Sequence, residues 1–124
     1  MIETSEEIKV NIEELRDYCL AKPGVTEGFP FGEDTLVFKV EKIFLITGLD
    51  QPSFNVKCDP EKAIELREQF SEVTPGYHMN KQHWNTVRTD GSLTNKQLRE
   101  MIDHSYDLIF ASLPKKRQAE ITGE

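Results

Sequence analysis

The chain has 124 residues, a formal charge of −7, 37% hydrophobic residues and 30% charged residues. That is the length and composition of one soluble globular domain, able to bury roughly two-thirds of the surface its unfolded form exposes. No apolar run approaches the ~20 residues a membrane span needs. The acidic opening MIETSEEIKV lacks a signal-peptide core, so the expected location is the cytoplasm, with no membrane partner.

Residues 1–10 are expected to form a flexible lead. Asn11 then caps a helix, with Glu14 three residues on as the return half of a capping box; Thr4 with Glu7 is the competing start. Leu15, Tyr18 and Cys19 follow helical spacing, and Lys22-Pro23-Gly24 stops the helix. Residues 25–31 read as a short strand, in which Gly28 and Pro30 mark an edge or a bulge. Leu36, Phe38 and Val40 alternate with polar or outward positions, Glu41-Lys42 turns the chain, and residues 43–47 return. After a loop over 48–52, Phe54, Val56 and Cys58 alternate with Asn55 and Lys57. Closely spaced strands with short turns imply an antiparallel meander.

Asp59-Pro60 opens a second helix, a capping acid followed by proline at the first helical position. Ala63, Leu66, Arg67 and Phe70 mark its inner side. Residues 73–81 read as a connection and 83–89 as one more strand, closed by Asp90-Gly91. Thr94 and Gln97 form another capping box, and Leu98, Met101, Ile102, Ser105, Leu108, Ile109 and Ser112 share a broad face of the long helix that follows. Leu113-Pro114 ends it, and 115–124 is expected to be a flexible tail. The order α-β-β-β-β-α-β-α predicts an α+β fold of two layers, an antiparallel β-sheet with helices packed on one face, in a single domain.

Three kinds of chemistry compete for the acid-free stretch around GYHMNKQHWNTV, residues 76–87. His78 and His83 are five apart, which suits neither helical nor same-face strand ligation, so no metal is expected. No serine lies in a G-x-S-x-G context, and the glycines form neither a P-loop nor a dinucleotide fingerprint, so no enzyme and no cofactor are expected. Ser105 beside His104 reads as a small residue that lets the helix approach the sheet. Cys19 and Cys58 fit no metal or redox spacing and read as buried, reduced thiols. Phosphate contact remains: Lys81 and Arg88 with Tyr77, and Lys39 and Lys57 at outward strand positions with Lys42 in a turn. The bland alternatives are solubilising lysines and a Trp84 whose indole anchors the core, the latter being the expected role for Trp84. Lys115-Lys116-Arg117 reads as charge complementing the negative end of the preceding helix.

FPFGEDTLVFKVEKIFLITG (29–48), FNVKCDPEKAIELREQF (54–70), TPGYHMNKQHWNTV (74–87) and MIDHSYDLIFASLPKK (101–116) resemble the MmcQ/YjbR family, over about residues 11–116. The resemblance implies a CyaY-like α+β fold, bacterial origin and DNA as partner, bound through a double wing of β-hairpins. On this chain the wings are residues 36–47 and 77–88. Together with the acid-free segment 73–89, this gives as expected contacts Lys39, Lys42, Lys57, Lys81 and Arg88, with Tyr77 and His83 as stacking candidates and His78 beside them, and no catalytic residue carries over. Within this frame Phe29, Pro30 and Phe31 read as a staple between the first helix and the sheet. The chain is expected to be a monomer. A second reading, from the −7 charge, is a non-enzymatic module that binds a protein or small ligand on the open sheet face.

Overall fold

The computed structural model describes residues 11–50, 52–76 and 80–123. Helix α1 (Ile12–Leu20) opens with the expected capping box: Glu14 N donates to Asn11 Oδ1 at 2.8 Å, and Asn11 N donates back to the Glu14 carboxylate. The rival start at Thr4 and the lead over 1–10 lie outside the described residues. Gly24 follows the helix at φ 75, and a Cβ there would stand 2.7 Å from Ile121 Cγ2. That turn needs glycine both for its left-handed backbone and for the approach of the chain's last helix.

β1 (Thr26–Gly28), β2 (Thr35–Val40), β3 (Lys42–Gly48) and β4 (Ser53–Lys57) form the expected antiparallel meander. α2 (Pro60–Gln69) starts from Asp59, whose carboxylate accepts from Lys62 N at 3.2 Å. Residues 73–75 depart from expectation. They form an outer strand, β5 (Val73–Pro75), and β6 (Trp84–Arg88) inserts between it and β4. The sheet order is β1-β2-β3-β4-β6-β5, antiparallel at every pairing. Three residues ending in proline carry no alternation to read, and Pro75 is tolerated because it sits at the margin of the sheet.

α3 (Asn95–Ala111) begins at its expected box, Gln97 N donating to Thr94 Oγ1 at 3.1 Å and Thr94 N to Gln97 Oε1 at 2.8 Å. Its buried face is Leu98, Met101, Ile102, Ser105, Tyr106 and Ile109. Leu15 and Cys19 from α1 join that face over Phe38, Phe54, Val56 and Val87 of the sheet. Leu66 and Phe70 near α2 and Ile121 pack on the same core, so the helices cover one face of an α+β two-layer structure.

The tail is the second departure. Residues 115–122 form α4 (Lys115–Thr122), seated by Ile121 on the core, by Gln118 Nε2 donating to Leu113 O at 2.8 Å, and by an ion pair between Arg117 and Glu41 in the β2–β3 turn. A lone isoleucine among polar residues leaves no stripe to read from sequence. Glu41 itself sits at φ 68, a left-handed position for a residue with a side chain.

The β2–β3 pairing slips between Phe38 and Lys39, so Phe44 is an extra residue and both Phe44 and Leu45 are fully buried. Beyond Leu45↔Val56 the β3–β4 pairing stops. Ser105 fills the opening: its Oγ donates to Phe44 O at 2.6 Å and accepts from Lys57 N at 2.8 Å, with no exposure to solvent. The serine therefore does more than let α3 approach; its hydroxyl replaces a missing ladder bond between two strands.

Two apolar assignments change. Trp84 is half-buried and outside the core. Asn85 and Val87 take the inward positions of β6, which leaves Trp84 on the parity of Thr86 and Arg88. Phe29 and Phe31, read as staples for α1, are 50% and 63% exposed. β1 ends at Gly28, and Phe29 and Pro30 turn across the uncovered face, where they line a hollow over Val37.

Candidate nucleic-acid interface

The predicted contacts occupy three regions. Lys39 is exposed on the uncovered face, between Thr26 of β1 and Ile43 of β3, and Lys42 is exposed where β3 begins. Lys57 is half-buried, directly opposite Trp84, and its N–H is the one held by Ser105. Arg88 lies four residues along β6 from Trp84, roughly 13 Å at strand rise. Its guanidinium forks onto Asp90 at 3.0 and 2.8 Å, which raises the Arg88 pKa and lowers that of Asp90. Lys39 and Lys42 therefore share one end of the sheet with Lys57, while Arg88 stands at the other, already paired.

Lys81 and His83 belong to a turn fixed from beneath. His83 N donates to Asn80 O at 3.1 Å, and His83 O accepts from Cys58 N at 2.7 Å. Arg67 of α2 reaches the same turn, its Nε donating to Asn85 Oδ1 at 2.7 Å and its Nη2 to Trp84 O at 3.3 Å and to Lys81 O. Asn85 is 1% exposed. Gly76 N donates to Trp84 O at 2.8 Å, and a Cβ on Gly76 would meet Trp84 Cβ at 2.8 Å. Tyr77 and His78 lie outside the described residues.

The docking of α4 adds cations that the sequence did not place here. Arg117 joins Glu41 and Glu120, and Glu41 lies between Val40 and Lys42. The first turn of α4 thus brings Lys115 and Lys116 beside the β2–β3 turn. Among the described residues, Lys39, Lys42, Lys115 and Lys116 form no ion pair. The sequence signal was the KKR run itself; its location required the fold.

The groups read for other chemistry are engaged structurally. Burial pushes the Cys19 thiol up to about 12 and the Cys58 thiol up to about 11, so neither is a thiolate near neutrality. Both cysteines are free. Among the described residues no group of three His, Cys, Asp or Glu is placed to hold a metal ion, and no helix is long and apolar enough to cross a membrane.

His104 Nε2 accepts from Asp59 N at 3.1 Å at the start of α2. Partial burial first, and then the charge of Lys62, lower the His104 pKa below its ordinary 6.5. The folded state therefore favours the neutral ring. Its contribution is complete above pH 6.5 and is lost as pH falls from there through the lower folded value. Thermal unfolding between pH 7.5 and 5.5 is expected to show a fall in Tm that His104→Gln, which cannot titrate, shows to a smaller extent.

The family model described as YjbR matches residues 20–108. The uncharacterised protein YjbR of Escherichia coli K12 is 36% identical over 112 residues, which is 88% of this chain and 95% of that protein. The uncharacterised protein YbdF of E. coli O157:H7 is 33% identical over 112 residues, 88% of this chain and 92% of its own length. Among solved structures, the Deinococcus radiodurans protein DR2400, with its DUF419 domain, superposes with a TM-score of 0.87 at 34% identity, covering 94% of this chain and 90% of that one. A Pseudomonas syringae protein superposes with a TM-score of 0.70 at 27% identity, covering 80% of this chain and 98% of its own.

Proposed function

Given that the chain belongs to the YjbR family, we propose that it binds DNA through phosphates, using the end of the sheet where the β2–β3 hairpin meets α4. The reading rests on the placement of Lys115 and Lys116. They occupy the first turn of α4, which holds no acid. Cations there oppose the dipole of α4, while they also stand just past the negative end of α3, which closes at Ala111. Alongside Lys39 and Lys42 they supply positive charge that forms no ion pair among the described residues, on a protein whose total is −7. Phosphate contacts carry no sequence information, so the proposed contact is sequence-tolerant. The role is binding rather than catalysis, a reading supported by the inert thiols and by the Ser105 hydroxyl and His104 Nε2, both committed to backbone partners.

Fluorescence anisotropy with a mixed-sequence duplex tests this. Four phosphate contacts give a slope of roughly −3 to −4 for log affinity against log salt, at about −0.9 per contact. The double charge reversal Lys115→Glu with Lys116→Glu is expected to weaken binding more than about tenfold and to flatten the slope by about 2. Acids in the first turn favour the dipole, so α4 itself should be retained. Lys81→Gln and Arg88→Gln should leave affinity nearly unchanged. Absence of binding at low salt and high micromolar protein, or a double variant that binds like the parent, sinks the reading.

A further inference from the structure

A second surface, on the helix-covered side, carries a different inference, independent of the DNA reading. Residues of α2 and α3 line an open groove of about 260 Å³ over β4 and β6. Its apolar lining is Val56, Leu66, Phe70, Val87 and Met101. That volume lies just under the ~300–1,000 Å³ of pockets that take drug-sized ligands, which suits a metabolite of single-ring size.

Two opposite charges border this lining. Lys62 stands on the α2 wall and Glu100 on the α3 wall. Both are exposed, and neither forms an ion pair among the described residues. Glu100 and His104 are one helical turn apart on α3, and both line the groove, so the acid sits within a turn of the His104–Lys62 end. The remaining rim groups are less free: Gln97 Oε1 caps Thr94 N, His104 Nε2 holds Asp59 N, and Asn85 Oδ1 is held by Arg67. Lys57 also borders the groove but stands on the outward parity of β4, opposite Trp84, so among the described residues a ligand entering meets one unpaired cation, one unpaired anion and an apolar floor between them.

We propose that the α2–α3 groove is a binding site for a small zwitterion with an apolar side chain, an α-amino acid of the phenylalanine or leucine type, its carboxylate on Lys62 and its ammonium on Glu100. A purely anionic ligand would leave Glu100 unmatched and repelled, and a purely cationic one would do the same to Lys62. A ligand without an apolar body would leave the floor wet.

Titration calorimetry of the full chain with L-phenylalanine, paired with amide chemical-shift mapping, provides the test. Binding is expected, with shifts at Val56, Leu66 and Met101. 3-Phenylpropionate, which lacks the ammonium, and phenethylamine, which lacks the carboxylate, should each bind about tenfold more weakly or worse, and glycine not measurably. Lys62→Gln should erase the advantage of phenylalanine over phenethylamine, and Glu100→Gln its advantage over 3-phenylpropionate. Both positions are exposed and outside the core, so both variants should fold. Three outcomes overturn the proposal: no shifts with phenylalanine or leucine at about 10 mM, a free energy within about 2.7 kcal/mol of zero; shifts that map elsewhere; or 3-phenylpropionate or phenethylamine binding as well as phenylalanine. DNA affinity plays no part in this readout, so either reading can fail alone.

Discussion

Ser105→Ala is expected to be among the most destabilising single substitutions in this protein. The hydroxyl satisfies Lys57 N–H and Phe44 C=O at once, at 2.8 and 2.6 Å, in a site with no solvent exposure. Alanine fits the space but strands both groups. A buried group left without its partner costs about 1–3 kcal/mol, and two of them put the loss at about 3–4 kcal/mol. Water could rescue them only by opening the sheet–helix contact. For a domain of this size that corresponds to a fall in Tm on the order of 10 °C. Chemical denaturation should show a lower midpoint at unchanged slope, the mark of lost stability without altered compactness. Ser105→Cys, with a weak donor and a larger atom, should recover only part. A wild-type midpoint for the alanine variant would mean that the two strands close the gap by pairing directly.

The second large effect is expected at Arg67. One guanidinium ties α2 to the turn before β6 through the Asn85 side chain and the carbonyls of Lys81 and Trp84. Its removal leaves the Asn85 carbonyl oxygen buried without that donor. Hydrogen bonds to charged groups contribute about 1.5–3 kcal/mol, so Arg67→Ala should cost about 2–3 kcal/mol. Arg67→Lys should recover less than half, since an ammonium cannot span a fork of acceptors. Amide exchange distinguishes this from a general loss: protection at Gln82, His83 and Trp84 should fall before that of the β2–β3 hairpin. Uniform loss across the sheet would assign Arg67 a packing role instead.

These two residues mark the boundary of what the sequence disclosed. The capping boxes at Asn11 and Thr94, the Asp59-Pro60 start, the β2–β4 alternation and most of the stripe on α3 are local patterns that appear in the structure, though Ser112 is exposed, Leu108 only half-buried, and Tyr106 is buried in addition. Ser105 was visible as a small residue on the inner face of a helix. Its bridging role depends on the Phe44 bulge, which exists only once three elements meet. Trp84 misled because hydrophobicity was read without register; the pairing of Val87 with Phe54 and Val73 fixes which parity of β6 faces the helices. The cations followed the same division. Lys39 and Lys42 were legible from strand parity and turn position. Lys115 and Lys116 joined them only because Ile121 and Arg117 seat α4, and no periodicity announced that contact.

The brevity of β1 and β5 has a consequence for the crowded cell. A six-stranded sheet with a face that no described helix covers could template another copy along either flank and grow into fibrils. Here each flank offers three residues, and β5 ends in a proline with no amide hydrogen to give. Recruitment of a further chain would gain too few backbone bonds to repay the ordering of the newcomer. The molecule can therefore leave much of its sheet open to a ligand surface without becoming a seed for its own aggregation.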